Sequence, residues 1–152
     1  MSALKPEQMD RLIEAHLKAE MAGDSAGSIA MYTEDVEHDV VGTPHGPLHG
    51  KEAAQGFYDQ LINDISTEEM IPTRRYYGED FCVIEHIWNG TVPGTFLGVA
   101  GNGRRISFRL LHIWEFREGL ISRENVWMDG GSIVAQLSSD EESTVTADDV
   151  RG

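Results

Sequence analysis

Residues 88–129 read WNGTVPGTFLGVAGNGRRISFRLLHIWEFREGLISRENVWMD, a series of apolar strands separated by glycine-containing turns. Between Ile106 and Phe116 every second residue is apolar except His112, so these side chains share one face of a strand. A buried imidazole needs a hydrogen-bond partner or a cavity, because burying a polar group alone costs roughly 1–3 kcal/mol. His112 is therefore the first candidate for a functional residue.

Helical patterns come before these strands. A first helix is predicted from Pro6 until Gly23 ends it, with His16 on or beside its buried stripe. A second, short helix is predicted after a cap at Asp24 or Ser25 and carries Tyr32, after which VEHDVVG forms a short strand. A third helix is predicted from Lys51 to about residue 65.

The remaining segments predict a meander of strands. MIPTRRYY, FCVIEHIWNG, RISFRLLHIWEF and LISRENVWM all have strand-like composition, and a short GTFLG piece follows the second of them. Alternation in FCVIEHIWNG places Ile84, His86 and Trp88 together on one face. Helices followed by segregated strands indicate an α+β domain in which the sheet curls around the helices and forms a pocket.

Length and composition limit the classes of function. The 152 residues carry 26 acidic against 12 basic side chains, and a formal net charge of −14 argues against nucleic acid as a partner. No apolar run of about 18 residues and no signal-peptide pattern is visible, so we expect a cytoplasmic protein with no membrane span. Cys82 has no second cysteine to pair with, and its strand setting favours a structural role.

One domain is expected over residues 1–137. Residues 138–152, SSDEESTVTADDVRG, are acidic and contain few apolar side chains, which is typical of a disordered tail. We therefore place the functional residues within the first 137.

No metal site is predicted. The histidines His38, His45, His49 and His86 form no closely spaced pair on one helix with a nearby carboxylate. Arg109 alternates with Leu110 in a central strand and needs a carboxylate partner, for which Glu85 and Glu124 are the candidates.

Three groups of residues resemble the SnoaL-like polyketide cyclases. They are MYTEDVEHDVVG running into GPLHGKEAAQGFY, the GTFLG turn with GRR after it, and WMD followed by Gln136 and Leu137. This family lies within the nuclear transport factor 2-like superfamily, with ketosteroid isomerases, scytalone dehydratases and limonene epoxide hydrolases. The resemblance implies a cone-shaped α+β barrel, with three N-terminal helices packed in the concave face of a curved, mostly antiparallel sheet. It also implies a homodimer.

The resemblance also assigns candidate catalytic residues. Compared with ketosteroid isomerases, Asp39 matches the catalytic base, while His16 and His112 match the two donors of the oxyanion hole. Compared with the polyketide cyclases, His112 matches an active-site histidine, but Val126 stands where those enzymes have their acid/base aspartate. Asp129 matches a common family aspartate, which either orients the pocket or ends the strand.

These assignments indicate a cofactor-independent lyase or isomerase acting on a small, largely apolar carbonyl compound. Asp39 would abstract a proton, and His112 and His16 would bind the carbonyl oxygen. The side chains expected to form the substrate-binding wall are Phe57, Tyr58, Trp88, Val126 and Asp129.

Plainer interpretations stay open at this point. Asp39 could instead hydrogen-bond the Gly-Pro turn that follows it, and His16 could be a satisfied core group. For the whole chain, the alternative is a non-catalytic domain that binds a small ligand or forms a dimer through the outer face of its sheet. The valine at position 126 favours that alternative.

Overall fold

The computed structural model describes residues 3–139 and 145–151. Helices lie before, between and after the strands. The helices are α1 (Pro6–Met21), α2 (Ser25–Ser28), α3 (Lys51–Asp64), α4 (Gly130–Ser138) and α5 (Ala147–Arg151). The strands are β1 (Tyr32–Val40), β2 (Leu48–His49), β3 (Ser66–Tyr77), β4 (Phe81–Val92), β5 (Thr95–Phe96), β6 (Val99–Ala100), β7 (Arg104–Arg117) and β8 (Leu120–Met128).

Six of the strands form one sheet in the order β2–β1–β8–β7–β4–β3. Every neighbouring pair is antiparallel except β1 and β8, which run parallel. These two strands are far apart in the sequence. Their parallel pairing places His38 beside Glu124 and Asp39 beside Asn125. β5 and β6 form a separate small hairpin.

The core lies between the helices and one face of the sheet, called the inner face here. Met9 and Ile13 of α1 and Tyr58 of α3 pack there against Ile84 and Trp114 of the sheet. The predicted row from Ile106 to Phe116 also lies on this face, because its even-numbered residues are buried. The α+β class, the N-terminal helices and the mostly antiparallel sheet are thus confirmed.

Local differences from the sequence predictions occur at element ends. Asp24 caps α2 as expected, by accepting a hydrogen bond of 2.8 Å from the Gly27 amide, but Tyr32 already belongs to β1. Helix α4 was not predicted. Asp129 caps it by accepting a hydrogen bond from the Ser132 amide.

The predicted disordered tail is described only in part, because residues 140–144 and 152 lie outside the described ranges. Ser138 is the last residue of α4, and Ala147–Arg151 form α5, which contacts β4 and β7. The boundary after residue 137 and the disorder beyond it stay predictions. No helix within residues 3–139 and 145–151 is long and apolar enough to span a membrane.

Candidate active site

A cavity of about 650 Å³ opens between α3, the inner face of the sheet and the β5–β6 hairpin. Its walls are mainly apolar, which suits a small hydrophobic ligand. Four of the predicted wall residues, Phe57, Tyr58, Trp88 and Val126, do line it. Further lining comes from Val40, Leu61, Ile65, Met70, Phe96, Phe108, Leu110 and Met128.

One end of the cavity is polar, and Glu124 is its centre. Alternation along β8 places Glu124 on the inner face with Val126 and Met128, so its carboxylate is only 2 % exposed. A buried carboxylate needs hydrogen-bond donors and positive charge around it. The surrounding side chains, His16, Tyr32, His38, Tyr58 and His112, provide them.

Two tyrosine hydroxyls satisfy one oxygen of this carboxylate. Tyr32 and Tyr58 both donate to Glu124 Oε2, Tyr58 over 2.9 Å. The Tyr58 oxygen lies 3.0 Å from His38 Nε2 and 3.2 Å from His16 Nε2. Because the Tyr58 proton points at the carboxylate, both imidazoles donate to the Tyr58 oxygen, which fixes a proton on each Nε2.

His16 carries the balancing positive charge. Its Nε2 lies 3.4 Å from Glu124 and 3.5 Å from Glu20, and its Nδ1 lies 2.6 Å from the Ser28 carbonyl oxygen. Burial alone would lower the pKa of His16, but the Glu124 and Glu20 carboxylates together outweigh it and raise the pKa to about 10. Burial likewise would raise the pKa of Glu124, but His16 holds it well below its usual range. The two groups form a buried ion pair.

His38 and His112 behave differently from His16, because burial lowers the pKa of both and Glu124 only partly opposes it. Both are therefore neutral at pH 7. His112 Nε2 lies 3.6 Å from Glu124 Oε1, and the nearby carboxylate favours the tautomer with the proton on that nitrogen. Within the described residues neither Nδ1 has a hydrogen-bond partner, although both are buried and both side chains line the cavity.

A family model described as the SnoaL-like domain matches residues 13–124. The chain belongs to the SnoaL-like domain family. None of the curated proteins matches the sequence of this SnoaL-like protein.

Solved structures share the fold of this SnoaL-like protein. TsrD from Streptomyces laurentii is 21 % identical, with a TM-score of 0.77 over 89 % of this chain and 98 % of its own. A protein provisionally named a SnoaL-like polyketide cyclase, from Jannaschia sp. CCS1, is 14 % identical, with a TM-score of 0.78 over 93 % and 100 %. A ketosteroid isomerase-like protein from Catenulispora acidiphila, in complex with trimethylamine, is 16 % identical, with a TM-score of 0.70 over 88 % and 94 %. The nuclear transport factor 2-like cone is therefore the fold of this chain.

The structure corrects the expectation that Asp39 points into the cavity. In β1 the buried inner-face residues are Val36, His38 and Val40, and Asp39 lies on the opposite, outer face. Its carboxylate accepts a hydrogen bond of 3.1 Å from Asn125. Successive side chains of a strand point to opposite faces of the sheet. A shift of one residue in the comparison with ketosteroid isomerases therefore placed Asp39, instead of His38, on the cavity face.

Two other expected site residues also lie outside the cavity wall of this SnoaL-like protein. His16 lies behind the wall and contacts Glu124, so it positions the carboxylate and does not bind a substrate oxygen directly. Asp129 caps α4 and does not line the cavity. Of the three predicted catalytic residues, only His112 lines the cavity.

Sequence reasoning missed His38 and Glu124 as site residues, although a signal for both was present. His38 alternates with Val36 and Val40, and Glu124 alternates with Val126, just as His112 alternates with apolar neighbours. Glu124 was considered only as a partner for Arg109, which instead pairs with Glu85 over 3.5 Å on the outer face.

Three imidazoles around one carboxylate raise the question of a metal site. Among residues 3–139 and 145–151, no group of three or more histidine, cysteine or acidic side chains has the geometry to hold a metal ion. The imidazole nitrogens nearest Glu124 are instead matched by hydroxyl and carboxylate oxygens. The arrangement is a network of hydrogen bonds and ionic contacts around one buried carboxylate.

Proposed function

We propose that this SnoaL-like protein is a cofactor-independent acid–base enzyme, an isomerase or lyase of the cyclase type. Its substrate would be a small, largely apolar carbonyl compound bound in the cavity. The observation that carries the proposal is the imidazole of His112. The side chain lines the cavity, its Nδ1 has no hydrogen-bond partner among the described residues, and its Nε2 lies 3.6 Å from the Glu124 carboxylate. A neutral imidazole backed by a carboxylate is a common general base.

The proposed step is proton abstraction next to the substrate carbonyl. His112 Nδ1 takes the proton, the electrons of the broken carbon–hydrogen bond form a carbon–carbon double bond, and the carbonyl oxygen becomes negative. His112 then returns the proton to another carbon, or the enolate expels a leaving group. The proton and the electron pair remain within the substrate and the imidazole, so the step needs no oxidant or reductant.

Glu124 makes this step easier because it stabilises the imidazolium while it forms. Its Oε1 lies 3.6 Å from His112 Nε2, whereas its Oε2 accepts the two tyrosine hydroxyls. His16 keeps Glu124 ionised. Burial lowers the pKa of His112, so its imidazole is uncharged before the substrate arrives. Asp39, on the outer face, has no part in the step.

The proposal predicts that His112→Gln loses the chemistry and keeps the fold. Glutamine can still donate to Glu124 but has no basic nitrogen, so we expect hydrogen–deuterium exchange next to the carbonyl to slow by about 100-fold or more. The measurement is NMR in D₂O with a panel of small apolar ketones and aldehydes. The matched control is Asp39→Asn on the outer face, which should exchange at the wild-type rate.

Two results would contradict this assignment. One is exchange in His112→Gln that is as fast as in the wild type, at unchanged folding. The other is a loss of exchange in Asp39→Asn, which would mean that Asp39 on the outer face is the catalytic base.

A second candidate is a binding protein that holds a small ligand without changing it. The apolar Val126 in the cavity wall, where cyclases have their acid/base aspartate, favours it. A neighbour with the same fold was solved in complex with a small molecule, trimethylamine, which also agrees with ligand binding. Binding of the panel compounds with no deuterium uptake by the wild-type protein would favour this candidate over the enzyme.

A further inference from the structure

The charges around the cavity are unbalanced. Glu20, Asp64 and Glu124 line it, and among the described lining residues there is no lysine or arginine. His16 lies behind the wall and compensates one of these carboxylates. With a net charge of −14 on the whole chain, the field in the cavity disfavours an anionic ligand and favours a cationic one.

The polar end of the cavity also contains two imidazole nitrogens that can accept hydrogen bonds. The Nδ1 atoms of His38 and His112 are buried and have no hydrogen-bond partner among the described residues. Both residues are nearly inaccessible, at 1 % and 3 %. His38 Nε2 lies 3.0 Å from the Tyr58 oxygen and His112 Nε2 lies 3.6 Å from Glu124 Oε1, and these neighbours favour the tautomer with the proton on Nε2 and the lone pair on Nδ1. A ligand that satisfies them must bring N–H or O–H groups.

Aromatic rings form much of the remaining wall. Phe57 lies against His38 with ring centroids 4.6 Å apart, and Trp88 stacks on Phe108 at 5.0 Å. Phe96 extends this group to the β5–β6 hairpin. Such walls suit both apolar groups and a cation, because the faces of aromatic rings are negative.

We propose that the cavity selects a small amine in its protonated form, with the ammonium group between Glu20, Glu124 and His38 and the apolar body against the aromatic wall. The inference rests on the proposed function and narrows its substrate to carbonyl compounds that carry an amine. His112 stays available to take the proton from carbon, and the nearby positive charge stabilises the enolate that forms.

An isosteric series of ligands tests this selection on the 152-residue chain. 4-tert-Butylbenzylamine is a cation near pH 7, 4-tert-butylbenzyl alcohol is neutral, and 4-tert-butylbenzoate is an anion of similar shape. We expect affinities measured by calorimetry to fall in that order, with the amine at least about tenfold tighter than the carboxylate. Equal affinities, or tighter binding of the carboxylate, would overturn the inference.

A pair of variants links the selection to the cavity. Glu20→Gln removes one lining carboxylate without changing its size, and it should weaken amine binding several-fold while alcohol binding stays the same. Glu14→Gln, on the exposed part of the same helix, changes the total charge equally and should change neither affinity. Equal losses in both variants would mean that only the net charge matters, which also overturns the inference.

These results are separate from the test of the acid–base proposal. If the amine is not preferred but exchange still depends on His112, the substrate class is wrong and the proposed function stands. If the amine is preferred but no carbonyl compound exchanges, the cavity binds amines and the enzymatic proposal fails.

Discussion

Among single residues, Glu124 and His16 matter most for stability because they form a buried ion pair beside the cavity. Breaking such a pair by neutralising one partner leaves an uncompensated buried charge, which typically costs about 3–5 kcal/mol. Glu124→Gln should therefore lower the free energy of unfolding by that amount, measured by urea denaturation at pH 7. The control is Glu115→Gln in a half-buried ion pair with Arg123, which should change stability by less than about 1 kcal/mol. Similar losses in the two variants would contradict a buried, charged Glu124.

The protonation of His16 gives a second prediction at this scale. The pKa of His16 is raised from 6.5 in the unfolded chain to about 10 in the folded protein, through Glu124 and Glu20. A raised folded-state pKa adds stability that is complete below pH 6.5 and is lost as the pH rises toward 10. Between about pH 6.5 and 9, the free energy of unfolding should fall, relative to that of a variant without His16, by up to about 1.4 kcal/mol per pH unit.

The reference for this pH dependence is His16→Asn, which lacks the His16 titration but keeps those of Cys82 and the other buried histidines. The difference between the wild-type and variant profiles therefore isolates His16. Parallel profiles in the two proteins would mean that His16 is neutral in the folded protein. NMR of the His16 ring would check the charge directly at pH 8.

At the scale of elements, strand periodicity explains both the success and the failure of sequence reasoning about the site. The apolar row around His112 is long and regular, so its inner-face position could be predicted from the sequence alone. β1 is shorter and carries His38 and Asp39 side by side, so a shift of one residue exchanges the cavity for the outer face. The resemblance to ketosteroid isomerases contains a one-residue gap at this strand, so it could not show whether His38 or Asp39 faces the cavity.

Short polar elements were harder to predict than strands. Helix α4 begins with two glycines, which give little helical signal, and its cap Asp129 reads equally well as a strand end or a pocket residue. The register of β1 against β8 is set by tertiary pairing, so no local pattern could show that His38 lies beside Glu124. The site therefore emerges only when distant strands are paired.

At the scale of the whole molecule, the outer face of the sheet remains the predicted dimer surface. Trp127 is 52 % exposed there, beside Leu111 on the neighbouring strand. A large exposed aromatic side chain on a sheet face is typical of a subunit contact. The charged cluster of Arg123 with Glu37 and Asp39 lies on the same face and would give such a contact a polar rim.

This surface gives a prediction about assembly. Light scattering after size-exclusion chromatography should find about twice the chain mass of 16.9 kDa for the wild type. Trp127→Glu should shift the protein to the mass of one chain, because a charge would then be buried at the contact. Met21→Glu, an equally drastic change at a 42 % exposed site on α1, should leave the mass unchanged. Since the cavity lies on the inner face of each chain, the monomeric variant should still bind ligands, and a dimeric Trp127→Glu would place the contact elsewhere.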